Sequence, residues 1–300
     1  MKTDPAHFAK TTVAQQLAEQ ATDKTARTWD QIVPTHYHKY VKVFSKEAAH
    51  RFPKLREWDH AIDLKPDTPN TMDCKVYPLS LTEDIALQKF IAENLEKVYI
   101  RQSKSPYAFP FFFIKKKNGN LRPVQDYRRL NAFTVRNPAP LLLIRELMDR
   151  LTRVHSRRLA LFTKLDIRWG YNNVRMRDSD QWKAAFKTNR SLFEPMVMFF
   201  GLTNAPATFQ LMMNHLFHEL IDEGYVMIYM DDILIHTPND PALHRRVVNN
   251  VLHILAVNDL YLKPQKCQFK QTEVEYLGII ISEDAIAMDP IKVQGVKNWK

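Results

Sequence analysis

Glycine is scarce in this chain of 300 residues, which contains only six. The two closest glycines, Gly278 and Gly295, are 17 positions apart. The G-x-G-x-x-G dinucleotide loop and the phosphate-binding P-loop each need two glycines within a few positions. Both nucleotide-binding motifs are therefore excluded.

Cysteine and long apolar runs are also lacking. The two cysteines, Cys74 and Cys267, are too far apart for a C-x-x-C zinc or redox pair, and we expect them to be reduced and structural. The H-E-x-x-H and G-x-S-x-G motifs of metalloproteases and serine hydrolases do not occur. No apolar run approaches the roughly 20 residues that cross a bilayer, and the N-terminus is not of signal-peptide type. We therefore expect an intracellular chain with no membrane partner.

Basic residues are abundant and clustered. The formal net charge is +10, and 45% of the residues are hydrophobic, which is enough for a sizeable core. The segment from Lys97 to Arg136 holds ten basic residues and one acid, and Arg145 to Arg190 holds twelve basic residues and five acids. Such segments suit a polyanion because cationic side chains displace the counterions of phosphates. A solvated basic face is the plainer alternative, and charge alone does not exclude it.

Composition divides the chain into four segments. Residues 1–34 are predicted to be a polar lead-in, disordered or weakly helical. Residues 35–94 are predicted to form an extended arm on the surface and a first helix. Residues 95–282 form the main domain, and 283–300 begin a further region that is truncated.

Helix and strand signals alternate through the main domain. Ser80 and Glu83 form a capping box, Asn204 and Asp240 are expected to cap helices over 204–223 and 241–258, and Asn118-Gly119 predicts a hairpin. The hairpin strands are Phe109–Lys117 and Asn120–Asp126, and the other expected strands are Leu159–Asp166, Val226–Met230, Ile233–His236 and Val274–Ser282. Interleaved strands and helices predict an α+β fold, with a mainly antiparallel sheet and helices on one face.

Three aspartates stand at strand ends. Asp231 and Asp232 lie between two apolar strands, and Asp166 ends another. Adjacent carboxylates in such surroundings need a counter-charge, and hard oxygen ligands suit Mg²⁺. Because side chains alternate along a strand, we expect Asp166 and Asp231 to bind metal directly and Asp232 to support them. An ordinary Asp-Asp hairpin turn is the alternative.

A carboxylate cluster beside a basic hairpin indicates a reaction class. Two metal ions about 3.5–4 Å apart stabilise the attacking and leaving oxygens of an in-line phosphoryl displacement. The basic residues of the hairpin would hold a triphosphate. Nucleotidyl transfer on a nucleic acid uses both parts, whereas a nuclease has no need for the basic hairpin.

Four sequence blocks, in order, resemble the reverse transcriptase of gypsy-type LTR retrotransposons. They are Leu121 to Asn131 (LRPVQDYRRLN), Phe162 to Tyr171 (FTKLDIRWGY), Phe200 to Gln210 (FGLTNAPATFQ) and Tyr229 to Asp232 (YMDD). Each block is moderately specific, and all four in this order are highly specific. The resemblance covers the chain from about His36 to its end.

The resemblance implies a right-hand polymerase with fingers and palm, and with the thumb essentially absent. It implies template-directed addition of dNTPs to a primer 3′-hydroxyl by two Mg²⁺ ions, for which Mn²⁺ could substitute, on an RNA or DNA template. The implied site comprises three groups: catalytic and metal-binding Asp166, Asp231 and Asp232; nucleotide-binding Lys116, Arg122, Tyr171, Phe200 and Gly201; and primer- or template-contacting Tyr229, Met230, Leu277 and Gly278. Among these, Tyr171 would clash with a ribose 2′-hydroxyl and so favour dNTPs.

Several of these residues could have a structural role instead of a role in the site. Lys116 is one of three neighbouring lysines, Arg122 could pair with Asp126, and the aromatic residues could be core. His215 and His218 are expected to be helix-surface or packing residues, since no third ligand stands at a matching spacing.

Alternatives to the active polymerase come from the end of the chain at Lys300, where the thumb would begin. No aspartic-protease motif occurs, and RNase H and integrase regions are expected elsewhere in a longer polyprotein. An inactive nucleic-acid-binding remnant of a retroelement is therefore the main alternative. An RNA-synthesising palm enzyme is a third, against which Tyr171 argues.

Overall fold

The computed structural model describes residues 28–115, 119–138, 159–283 and 285–288. The α-helices in these ranges are α1 (Trp29–Ile32), α2 (Val41–Phe44), α3 (Leu81–Glu96), α4 (Arg128–Phe133), α5 (Ala205–Leu216), α6 (His218–Asp222) and α7 (Pro241–Val257). The strands are β1 (Met72–Asp73), β2 (Ile100–Gln102), β3 (Tyr107–Lys115), β4 (Leu121–Gln125), β5 (Leu159–Asp166), β6 (Phe186–Lys187), β7 (Leu192–Pro195), β8 (Val226–Tyr229), β9 (Asp232–Pro238), β10 (Gln268–Gln271), β11 (Glu273–Tyr276), β12 (Ile279–Ser282) and β13 (Ile286–Met288). No helix in the described ranges is long and apolar enough to cross a membrane.

The strands form three sheets. A mixed six-stranded sheet is ordered β1-β3-β6-β7-β2, with β4 paired to β3. A four-stranded sheet, β10-β5-β9-β8, is antiparallel throughout, and β11-β12-β13 form a small antiparallel sheet. The predicted α+β fold with an antiparallel sheet is confirmed.

The four-stranded sheet is covered differently on its two faces, because side chains alternate along each strand. On one face, Leu165, Ile233 and Ile228 belong to the main core with residues of α5 and α7. On the other face, Phe162 and Leu234 pack against the small sheet. The predicted placement of helices on one face is therefore confirmed, and the small sheet covers the opposite face. Burial of each large aliphatic side chain in these layers contributes about 1.5–3 kcal/mol.

Several local signals predicted their elements correctly. Ser80 caps α3 through its hydroxyl, which accepts from the backbone N–H of Glu83 at 3.4 Å, and the Glu83 carboxylate accepts from the backbone N–H of Ser80 at 2.8 Å. Asp240 caps α7 by accepting from two backbone N–H groups at 2.9 and 3.1 Å. The predicted hairpin is formed by β3 and β4, which pair Phe111 with Gln125.

Three local predictions are wrong. Asn204 precedes α5 but makes no side-chain cap, because its side-chain oxygen accepts from the backbone N–H of Asn137 at 3.0 Å and not from the helix. The helix predicted over 204–223 is also interrupted at Phe217, between α5 and α6. The last predicted strand, Val274–Ser282, is a hairpin instead, since Leu277 and Gly278 have positive φ angles of 53° and 83° and form a turn between β11 and β12.

The N-terminal arm is embedded more deeply than the prediction of a surface segment implied. Tyr37, Val43 and Phe44 are buried in the main core. Arg56 also donates to the side-chain and backbone oxygens of Asn258, at 2.8 and 2.7 Å, just beyond α7. The arm is therefore an integral layer of the fold.

Three buried histidines make the fold sensitive to acid. Burial lowers the pKa of His60, His236 and His244 from 6.5 to about 4. In the unfolded chain these histidines take up protons below pH 6.5, whereas the folded protein binds them only near pH 4. We therefore expect each histidine to lower the free energy of unfolding by up to about 2 kcal/mol between pH 7.5 and 5. Urea unfolding across this range measures the loss.

A substitution of His236 tests this pH dependence of stability. Neither of its ring nitrogens has a hydrogen-bond partner within the described part of the chain. His236→Leu should make the dependence of stability on pH shallower by about one proton, and the exposed His253→Gln is the control. Equal slopes in wild type and His236→Leu would show that His236 takes up protons as readily in the folded protein as in the unfolded chain.

Candidate active site

Three aspartates lie where β5 and β8 end and β9 begins. Asp166 and Asp232 are directly paired across β5 and β9, so their side chains share one face of the sheet. Tyr229 is paired with Asp232 from the other side and extends the same row. Asp231 lies in the turn between β8 and β9, and its carbonyl accepts from the backbone N–H of Ile167 at 2.8 Å. The turn thus connects the aspartate pair 231–232 to the strand end that carries Asp166.

Hydrogen bonds from a residue of α5 hold the turn between β8 and β9 in place. Met230 has a positive φ of 56°, which is uncommon for a residue with a side chain. Its backbone N–H donates to the Gln210 side-chain oxygen at 2.8 Å, and the Gln210 amide donates to the Ile228 carbonyl at 3.1 Å. Gln210 is 3% exposed, so these bonds are protected from water. It is a positioning residue that the sequence reasoning missed.

Negative charge accumulates at this strand end. Burial raises the pKa of Asp232 above its usual range, and the charges of Asp231 and Asp166 raise it further, while Lys164 and Lys266 oppose them. The carboxylates are therefore close enough to repel one another, and their site favours added positive charge.

Two lysines supply positive charge to Asp166. Lys263 Nζ lies 2.8 Å from Asp166 Oδ1, and Lys266 Nζ lies 2.9 Å from Asp166 Oδ2. Both lysines come from the segment after α7, about 100 positions along the chain from Asp166. Sequence reasoning missed them because it assigned the counter-charge to metal alone.

The donor set nevertheless has the chemistry of a magnesium site. Three carboxylates are hard oxygen ligands of the kind Mg²⁺ prefers, and their mutual repulsion at Asp232 would be relieved by a divalent cation. Within the described ranges, no three acidic, histidine or cysteine side chains are already arranged tightly enough to hold a metal ion. Metal binding would therefore require the side chains to rearrange.

Aromatic residues line the space beside Asp231. The ring of Tyr171 lies 4.8 Å from the ring of Phe200 and 5.8 Å from that of Phe209. The Arg122 guanidinium sits over Phe200, 5.7 Å from the ring centre. Burial raises the pKa of Tyr171 to about 12, and the Asp231 charge acts in the same direction. The structure thus brings Arg122, Phe200 and Tyr171 together, and Tyr171 lies close enough to Asp231 to be affected by its charge.

Gly170 allows this close approach. A Cβ atom at Gly170 would lie 3.3 Å from Phe209 Cζ and 3.4 Å from Asp231 Cβ. Because Gly170 has no side chain, the segment that follows β5 can pack closely against the turn that carries Asp231.

Gly201 is required by its backbone. Its φ is +102°, and a Cβ atom there would lie 3.1 Å from the Gln125 carbonyl oxygen. We expect Gly201→Ala to lower the free energy of unfolding by about 2 kcal/mol, because it combines strain with a backbone clash. Gly224→Ala is the matched control, since Gly224 has a φ of +78° but nothing within 4 Å. Thermal unfolding should rank Gly201→Ala well below the control, and equal losses would contradict the clash.

Other predicted residues have mixed outcomes. Lys116 lies outside the described residues. Arg122 does not take the alternative role of pairing with Asp126, whose carboxylate bonds Arg128 at 2.8 and 2.6 Å. His215 is exposed on α5, and its ring lies 5.2 Å from that of Trp58, which matches the expected helix-surface or packing residue. Cys74 and Cys267 are both free thiols.

Of the residues expected to contact primer or template, Tyr229 and Leu277 pack against the small-sheet cluster, whereas Met230 packs against the main core. The Tyr276 hydroxyl donates to the Asp232 carbonyl at 3.4 Å, which links the small sheet to the aspartate row. Leu277 and Gly278 form the turn of this small sheet, next to Tyr276. Met230 and Tyr229 lie in and beside the β8–β9 turn.

This fold and site define a right-hand polymerase with fingers and palm. The six-stranded sheet with α3 forms the fingers, and the four-stranded sheet with α5 and α7 forms the palm. Residues 114–281 match the family "Reverse transcriptase (RNA-dependent DNA polymerase)". The chain belongs to this family of nucleotidyltransferases, as its motifs predicted.

Proteins with similar sequences are retrotransposon polyproteins. It is 32% identical over 269 residues to the "Transposon Tf2-3 polyprotein" and the "Transposon Tf2-7 polyprotein" of Schizosaccharomyces pombe. The match covers 89% of this chain and 20% of each polyprotein, so the chain spans about a fifth of their length. The predicted resemblance to gypsy-type retrotransposon reverse transcriptases is confirmed.

Solved structures share the fold. The foamy viral protease-reverse transcriptase in complex with RNA/DNA hybrid has a TM-score of 0.75 at 18% identity, covering 100% of this chain and 39% of that chain. The same viral protein in a dRH form, in complex with double-stranded DNA, has a TM-score of 0.76 at 18% identity, covering 100% of this chain and 51% of that chain. The fingers and palm architecture is therefore shown.

Proposed function

We propose that this chain is the polymerase core of an LTR retrotransposon, adding dNTPs to the 3′-hydroxyl of a primer on an RNA or DNA template. The pairing of Asp166 with Asp232, with Asp231 in the adjoining turn, is the observation that carries the proposal. It gathers three oxygen-donor side chains at a strand end beside an aromatic and basic pocket. The family membership and the nucleic-acid complexes of the structural neighbours support it.

Each group of residues has a distinct proposed role. Asp166, Asp231 and Asp232 would hold two Mg²⁺ ions, or Mn²⁺ in their place, and these ions would stabilise charge on the attacking and leaving oxygens. Arg122 would bind the triphosphate, together with Lys116. Tyr171 and Phe200 would pack against the sugar of the incoming nucleotide, and Gly201 would let the chain pass close to it.

The primer would lie on the small sheet. We assign Tyr229, Met230, Leu277 and Gly278 to contacts with the primer end or template. The basic residues of the fingers would contact phosphates and make binding dependent on salt. RNase H and integrase regions of the same polyprotein are proposed as covalent partners, and the activity is assigned to the interior of the cell.

Primer extension tests the proposal. The purified chain is incubated with an RNA template, an annealed DNA primer, dNTPs and Mg²⁺, and the products are resolved by length. We expect stepwise extension that requires both the template and Mg²⁺. Salt-dependent binding of the primer–template without any incorporation would instead identify an inactive nucleic-acid-binding remnant.

A further inference from the structure

The two lysines on Asp166 occupy the position that a metal ligand needs to keep open. Asp166 has only 7% of its side chain exposed, and each of its two oxygens accepts from a different ammonium. An aspartate that binds Mg²⁺ directly would place the ion 2.0–2.1 Å from such an oxygen. An ammonium held on the same oxygen would then lie within about 5 Å of the ion, and the two cations would repel each other.

The backbone fixes Lys263 at this point. Its N–H donates to the Asp166 carbonyl at 2.9 Å, and its neighbour Leu262 bridges to Ile167. The Lys263 side chain also reaches the Ile167 carbonyl at 3.4 Å. The segment is anchored further by Cys267, whose thiol donates to the Lys263 carbonyl at 3.3 Å. Lys263 is therefore held beside Asp166 by a loop that is fixed through several hydrogen bonds, and the Lys263 side chain is only 28% exposed.

Lys266 completes the arrangement from a less enclosed position. Its side chain is 61% exposed, so it can swing into solvent at little cost. Lys263 has less freedom, and its ammonium retains the Ile167 carbonyl as a second acceptor when it leaves Asp166.

We propose that Lys263 and Lys266 are internal counter-cations that hold the Asp166 carboxylate in the metal-free protein, and that metal binding is an exchange of these ammonium groups for the ion. The inference rests on the proposed metal site and adds a role for two lysines outside the four recognised sequence blocks. The exchange keeps the carboxylates together without metal and weakens the apparent affinity for metal. Removing either lysine should therefore tighten metal binding.

Titration with Mn²⁺ measures the exchange. Binding to the full chain is followed by electron paramagnetic resonance of free Mn²⁺, in wild type, Lys263→Met, Lys266→Met and Lys263→Arg. We expect about tenfold tighter binding in Lys263→Met and a similar or smaller gain in Lys266→Met, because a charge-assisted bond to Asp166 no longer competes. Lys263→Arg retains a cation and should remain close to wild type.

Lys183→Met is the matched control. Lys183 Nζ lies 2.7 Å from Asp180 Oδ1, and that carboxylate is as buried as Asp166 but lies outside the site. Thermal unfolding provides the second readout. In chelator, both Lys263→Met and Lys183→Met should unfold at lower temperature than wild type, and Mn²⁺ should restore only Lys263→Met.

The outcomes separate the two proposals. Unchanged or weaker Mn²⁺ binding in both Lys263→Met and Lys266→Met, with wild type still binding, would overturn the exchange and leave the metal site standing. An absence of Mn²⁺ binding in wild type and every variant would overturn the proposed metal site, and the exchange with it.

Discussion

Asp231→Asn is expected to lower the rate of primer extension by about 10³-fold, equivalent to about 4 kcal/mol of transition-state stabilisation. The change removes one charge from a cluster whose proposed task is to hold cations against developing negative charge. It conserves shape, and the Asp231 carbonyl that accepts from the Ile167 N–H is unaffected. The loss should therefore be catalytic, with thermal unfolding close to that of wild type.

Asp222→Asn is the control for this comparison. Asp222 is exposed at the end of α6, so the same chemical change is made away from the strand ends. Single-nucleotide incorporation by wild type, Asp231→Asn and Asp222→Asn should separate the first variant from the other two. Equal incorporation by wild type and Asp231→Asn would rule out the polymerase site.

Tyr171→Ala is expected to reduce the preference for dNTPs over rNTPs by about 10²-fold, because the ring that would clash with a 2′-hydroxyl is removed. The ring cannot easily move aside, since Phe200 and Phe209 pack against it. The ratio of kcat/KM for dCTP and CTP, measured on one primer–template, reports the change. Most of the effect should appear as improved use of CTP.

Tyr171→Phe separates ring from hydroxyl. With its pKa raised to about 12, the Tyr171 hydroxyl is uncharged at assay pH, so Tyr171→Phe changes no charge. We expect Tyr171→Phe to retain discrimination against CTP. A loss as large as that of Tyr171→Ala would assign discrimination to a hydrogen bond instead of to the ring.

The sequence predicted those features that depend only on residues close to one another along the chain. Short apolar runs located β5, β8 and β9, and Asp240 with Pro241 marked the start of α7. Asn204 failed as a cap because its side-chain oxygen accepts from the backbone N–H of Asn137, 67 positions away in sequence, which no local rule contains. The turn at Leu277 and Gly278 was not predicted, because apolar residues continue on both sides of it and the pattern resembles a single strand.

The counter-charges of the site could not be predicted in the same way. Lys263 and Lys266 reach Asp166 across 97 and 100 positions of sequence, and Gln210 supports Met230 across 20. Nothing near these residues in sequence marks them, since lysine after a helix and glutamine within one are common. Only the packing of α5, α7 and the sheet brings them to the aspartates.

The arm sets the smallest piece of chain that can be expected to fold. The family match begins at residue 114, yet the Leu262 N–H, one position before Lys263, donates to the Val43 carbonyl at 2.8 Å. Tyr37 and Phe44 also pack on Phe269 of β10, with ring centres 5.6 and 6.3 Å apart. A fragment trimmed to the family match, residues 114–281, would leave one edge of the palm bare and would loosen the lysine-bearing loop, so the arm belongs in any recombinant version of the catalytic unit.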